Sequence, residues 1–146
     1  MTTAAVAMTV VAGLAGSVQV AVMGRFGDRI GVVEALTFAT AIQLTLSFGI
    51  LLAARTGVGN LGEAFRSPLW MWLGGAMGLT VVFTITFAQP RIGATATIGI
   101  LIAGQLVMGA VIDRYGLFGV DQIALTWPRL LGIGLLGVGA ALSLSK

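Results

Sequence analysis

The chain has 146 residues, 58% of them hydrophobic and 9% charged, with a mean hydropathy of +1.05; a water-soluble domain carries about a quarter charged residues, so a surface built to face water is excluded. Cysteine and histidine are absent, which removes disulfides, thiolate chemistry and imidazole metal ligands. The net charge is +3, but the eight basic residues are scattered at the ends of apolar runs rather than clustered, so nucleic acid is not an expected partner.

The predicted elements are all apolar helices. The first run, 3–24, has no basic leader and reads as a spanning helix rather than a cleaved secretory signal; it holds Gln19. A short charged loop, Arg25 to Gly31, follows. The second run, 32–54, carries Glu34 near its start and Gln43 near its centre. The longest polar stretch, Arg55 to Ser67, leads to Pro68, which suits the first turn of a third helix over 68–89. Trp70 and Trp72 stand at its entry like an aromatic belt, Gly74 and Gly78 mark a close-approach face, and Thr80 and Thr84 share a face one turn apart. A proline-arginine corner at Pro90-Arg91 opens the fourth run, 92–112, with Gln105 near its middle and Asp113-Arg114-Tyr115-Gly116 at its end. After a loop to Thr126, Trp127-Pro128 opens a fifth run, 127–145. Each run approaches the roughly 20 residues that a helix needs to cross a bilayer. The expected architecture is an all-α, polytopic membrane protein with five transmembrane helices in a single domain over 1–146.

Five spans put the termini on opposite sides. Arg55, Arg66, Arg114 and Arg129 then lie on the N-terminal side, and Arg25, Arg29, Arg91 and Lys146 on the other. Orientation normally follows an excess of basic residues in cytoplasmic loops. An even split leaves the orientation open, or allows both orientations and an antiparallel pair.

The polar residues inside these runs are the candidate site, and each has two readings. Glu34, a carboxylate within an apolar run, is a candidate to bind and release a proton, or an interfacial group favoured by a helix N-terminus. Gln105 can line a substrate path, or make an interhelical hydrogen bond. Gln43 and Gln19 carry the same pair of readings. Thr84 can face a substrate, or return its hydroxyl to a carbonyl one turn back. Trp72 can cap an apolar substrate, or anchor at the interface. Asp113 and Arg114 form a gate or a solvated helix-end pair. No nucleophile–base pair, metal set or phosphate-binding loop occurs, so neither an enzyme, a cofactor nor a metal is expected.

Several ordered motifs carry a family resemblance. Pro90-Arg91-Ile92-Gly93, Gly104-Gln105-Leu106 and Asp113-Arg114-Tyr115-Gly116-Leu117-Phe118-Gly119 resemble the YdcZ-type branch of the drug/metabolite transporter superfamily, as do the Trp-x-Trp-Leu-Gly-Gly of Trp70 to Gly75 and the Arg129 and Gly132 of the last helix. Arg114 occupies a position that is histidine-like in that branch. The resemblance implies a five-helix protein of the bacterial inner membrane, half the size of two-unit relatives, and therefore a homodimer or a heterodimer with a sibling chain. The last three helices also resemble those of small multidrug resistance proteins, which pair antiparallel and couple transport to protons through a mid-membrane carboxylate. Here Gln43 holds the centre of the second helix and Glu34 lies near its start, so that coupling does not carry over.

The expected function is a small transporter that moves a small amphipathic or weakly polar compound by alternating access, as a homodimer (antiparallel or not) or a heterodimer. The alternative is a non-transporting membrane scaffold or regulatory subunit. The expected partners are membrane lipid, a second chain and the small-molecule substrate.

Overall fold

The computed structural model describes residues 2–54 and 61–144. Arg55 and Lys146, two of the basic residues counted above, lie outside the described residues. Among the described residues all regular structure is helical: α1 Thr2–Ile30, α2 Val32–Ala53, α3 Leu61–Arg66, α4 Leu73–Ile92, α5 Ala94–Tyr115 and α6 Trp127–Leu142, with 3-10 turns at Leu69–Trp72 and Leu117–Gly119. Four helical segments, Thr3–Ile30, Val32–Ala53, Leu69–Ile92 and Ala94–Tyr115, are long and apolar enough to cross a membrane, and α6 is a shorter apolar helix.

These helices are not held together by a large buried core. Only 6% of the most apolar window of α2 is buried, and 17% of that of α5, with Leu46, Ile50, Val107 and Leu135 among the exposed side chains. Such surfaces are stable against hydrocarbon, where the helix satisfies its own backbone polar groups. The threonine hydroxyls follow the same rule. Thr40, Thr45, Thr80, Thr84, Thr86 and Thr97 each donate to the carbonyl four residues back.

Helix ends depart from the sequence expectation in an instructive way. The stretch Arg25 to Ile30, expected as a charged loop, is the last turns of α1. Arg25, Phe26, Asp28, Arg29 and Ile30 are all tolerated in a helix, and charge alone does not stop one. The stop is Gly31, at φ +103° and ψ 148°, with α2 starting at the next residue. The proline-arginine corner shifts likewise: α4 runs through Pro90 to Ile92, and the break is Gly93 at φ +83° and ψ 161°. Proline has a helix-compatible φ, and near a helix end its missing N–H deprives only the carbonyl of Thr86. The backbone angles of Gly31 and Gly93 belong to a region essentially reserved for glycine. At each joint the glycine N–H bonds the carbonyl four residues back (Gly27 O and Gln89 O, both 2.9 Å), and its own carbonyl accepts from Ala35 or Thr97. The polar stretch before Pro68 contains the short helix α3, and α5 extends past Ile112 to Tyr115 before Gly116 caps it in the left-handed region.

The chain divides into two compact units, Val22–Phe87, and Met1–Ala21 with Ala88–Lys146. In the first, the buried Gly27 of α1 lies against Thr86 of α4; a Cβ at residue 27 would stand 2.5 Å from the Thr86 methyl. Phe26 and Phe38 meet edge to face at 5.7 Å. In the second, α5 and α6 run antiparallel. Near one end a Cβ on Gly99 would stand 3.3 Å from Ala140 Cα, and near the other Asp113 pairs with Arg129.

Candidate functional site

The polar part of the second unit is built from the facing ends of α5 and α6. Asp113 falls in the last turns of α5. Pro128 sits at the start of α6, where its missing N–H leaves no bond unmade, and this puts Arg129 in the first turn. The Arg129 Nη2 donates to Asp113 Oδ2 across the two helices, with 38% of the Arg129 side chain and 19% of the Asp113 side chain exposed. Asp113 was expected to pair with Arg114. Residues adjacent on a helix point about 100° apart and do not face each other, so Arg114 is left on the exposed side and the partner comes from α6. The loop between the helices closes over this end: Ile123 N–H donates to Asp113 O at 2.8 Å, and Gln122 Nε2 to Tyr115 O at 3.4 Å.

Beside the ion pair lies a cleft of about 280 Å³ lined by Gln105, Leu106, Gly109 and Ala110 of α5 and by Arg129, Gly132, Ile133 and Leu136 of α6. The α5 residues fall at successive turns of one face, and so do those of α6. Gly109 and Gly132 make the space, since a Cβ at either would meet nothing within 4 Å. Gln105 lies eight residues before Asp113, or about 12 Å along α5 at 1.5 Å per residue. The cleft thus has a charged mouth, apolar walls and one primary amide deep along α5. A guanidinium carries five N–H donors, more than one carboxylate oxygen takes up. The arrangement suits a ligand with an apolar body and a polar head. It holds no paired groups for bond-breaking chemistry.

The other candidates sit elsewhere. Gln19 is half-buried on α1. Glu34 is exposed in the first turn of α2, with its carboxylate folded back over Gly31, where the unpaired N–H groups of a helix start favour negative charge. Gln43 is exposed on α2. Nine residues from Glu34, it points to the opposite side of that helix, since nine steps of 100° leave half a turn. Thr84 donates its hydroxyl to Thr80 O at 2.8 Å. Trp72 donates its indole N–H to Ala64 O at 3.2 Å and meets Phe65 edge-on at 5.9 Å, so it docks α3 onto the start of the third apolar segment. Two residues were missed. One is Arg129 as the partner of Asp113, for which the signal was the proline fixing it in a first helical turn. The other is Gln89, whose amide oxygen is buried without a hydrogen-bond partner. Such an atom costs about 1–3 kcal/mol, and the signal was a glutamine inside an apolar run beside Pro90.

A family model described as "Putative inner membrane exporter, YdcZ" matches residues 4–142. The chain belongs to the YdcZ family. It is 30% identical over 135 residues to "Inner membrane protein YdcZ" of Escherichia coli (strain K12), covering 92% of this chain and 90% of that one. No solved structure matches it. With four membrane-length apolar helices, this YdcZ-family member is a multi-pass inner-membrane protein, of a family described by transport rather than by catalysis. The family match spans both the α5–α6 cleft and the two glycine joints.

Proposed function

We propose that the chain is a five-span transporter that moves a small amphipathic or weakly polar compound across the inner membrane by alternating access, with the α5–α6 cleft as its substrate site. The observation that carries this reading is the cleft itself, an amide and a guanidinium on apolar walls inside a helix pair of a membrane protein. An amide at membrane depth, such as Gln105 on the cleft wall, needs a partner, and a polar substrate head supplies one. Arg129 would hold the head of the compound at the mouth. The exchange of its bond to Asp113 for the substrate would act as the gate.

α6 serves as the fifth span in this reading. Its 16 residues make a helix of about 24 Å, somewhat short of the roughly 30 Å hydrocarbon core. Because it runs antiparallel to α5 from Arg129 to Ala140, it follows α5 through the lipid, and modest bilayer thinning accommodates the difference. The working form is a dimer, of identical chains or with a sibling chain. It is supported by the even split of basic residues between the two sides and by helical glycines such as Gly74 and Gly78, where a Cβ would meet nothing within 4 Å. Small residues of this kind let helices of two chains approach closely.

The test is transport in proteoliposomes against a panel of amphipathic compounds. Gln105→Ala is expected to abolish the transport that the natural chain shows while leaving insertion and yield unchanged. Equal rates for the two proteins would refute the role of the cleft.

A further inference from the structure

The two glycine joints are part of a longer correspondence. A shift of 62 residues, the spacing from Gly31 to Gly93, lays Arg29-Ile30-Gly31 on Arg91-Ile92-Gly93 and Gln43-Leu44 on Gln105-Leu106 without a gap. It also lays Gly13 and Gly16 on Gly75 and Gly78. In a chain this rich in small apolar residues some identities arise from composition alone. Helix boundaries do not. Under the same shift Ile30, the last residue of α1, falls on Ile92, the last of α4, and the 22 residues of α2 fall on the 22 of α5 at both ends. The joint glycines share the same backbone region and the same hydrogen bonds. Burial agrees at Met23 and Ile85, at Gly24 and Thr86, and at Ala35 and Thr97, and differs where Glu34 and Phe48 are exposed against the buried Ala96 and Ala110.

We infer that α1–α2 and α4–α5 are two copies of one helix–glycine–helix unit, and that Gln43 is the counterpart of Gln105, a second water-exposed amide near the middle of the membrane. Each glutamine lies twelve residues past its joint, or about 18 Å along its own helix, which reaches the middle of a hydrocarbon core of roughly 30 Å. The proposed five-span topology places both joints at one membrane surface. The copies have diverged at most positions between residues 13 and 50, yet the amide and its leucine are retained in both. The copies also differ where a second helix is recruited. Leu51 stands where the other copy has Asp113, so α2 lacks the carboxylate that holds α6 against α5. All four residues are exposed, but only Gln105 and Leu106 have a second helix beside them, lining the cleft with α6.

The mid-membrane placement rests on the five-span transport reading, but the test needs no substrate. The chain has no cysteine, so single-thiol variants report one position each. Gln43→Cys and Gln105→Cys are made in the full chain in membrane vesicles, with Thr45→Cys and Val107→Cys, two residues on and roughly on the opposite helix face, as references. The rate of labelling by a charged, water-soluble methanethiosulfonate is measured. Thiols react as thiolates and need water, so the expected rates at positions 43 and 105 are about tenfold or more above those at 45 and 107. Leu44→Cys and Leu106→Cys repeat the comparison with both amides in place, should removing a glutamine impair folding. Fast labelling at 105 and 106 with slow labelling at 43 and 44 overturns the equivalence and leaves the cleft reading standing. Slow labelling at all four positions overturns both.

Discussion

Gly27 of α1 and Thr86 of α4 pack so closely that a single added methyl group should cost stability. Gly27 is buried on α1, and a Cβ there would stand 2.5 Å from the Thr86 methyl and 3.4 Å from the Thr86 carbonyl oxygen. The methyl has nowhere to go. Thr86 is fully buried, and its hydroxyl, bonded to Val82 O at 2.8 Å, holds its rotamer. Replacing a helical glycine with alanine gains about 0.5–1 kcal/mol in backbone terms, whereas one extra carbon in a packed site costs about 1–3 kcal/mol. Gly27→Ala is therefore expected to destabilise the protein by up to about 2.5 kcal/mol, the overpacking cost less the backbone gain. Thr86→Ser keeps the hydroxyl and removes the offending methyl, at about 1 kcal/mol for the void. In the double variant the alanine carbon fills that void, so the pair should return to within about 0.5 kcal/mol of the natural chain, a coupling well outside simple additivity. Gly49→Ala in α2, where the added carbon meets nothing within 4 Å, serves as a control that should be neutral or slightly stabilising. Reversible unfolding by denaturant in mixed micelles, followed by helical circular dichroism, measures all four. Additive losses in the double variant, or a Gly27→Ala protein as stable as Gly49→Ala, would show that α1 does not press on Thr86.

Two further outcomes are expected. Asp113→Ala and Arg129→Ala should each loosen α6 from α5, seen as faster proteolysis in the loop 116–126 and a lower melting temperature, while Arg114→Ala should change neither; an equal effect of Arg114→Ala would contradict the pairing across the helices. A label on Lys146 should be reachable from both faces of sealed vesicles if copies insert in both orientations, as the even basic count supports, and reactivity from one face alone would remove the antiparallel dimer.

Much of the architecture was legible in the chain because lipid imposes a one-dimensional rule. A run of apolar residues long enough to cross must be a helix, so α2, α4 and α5 were readable from run length. Charge was a poor guide to where helices stop. Arg25 to Ile30 continues α1, and the break waits for Gly31, because a stop needs a backbone angle that side chains disfavour. The left-handed turn at Gly116 was readable for the same reason. The short helix α3 was not, since its six residues depend on docking, with Trp72 bonded to Ala64. In the site, Gln105 stood out as an amide with no partner in its own helix. The partner of Asp113 did not, because which of several arginines reaches a carboxylate depends on how α6 lies along α5.

Composition and run length alone determined that this chain lives in lipid as helices, because a continuous apolar run of about 20 residues satisfies its own backbone groups in hydrocarbon only by coiling. The pairing of Asp113 with Arg129, the cleft beside Gln105 and the helix stops at Gly31 and Gly93 were decided only in three dimensions. They depend on distances between segments far apart in sequence and on backbone angles that residue types permit but do not dictate.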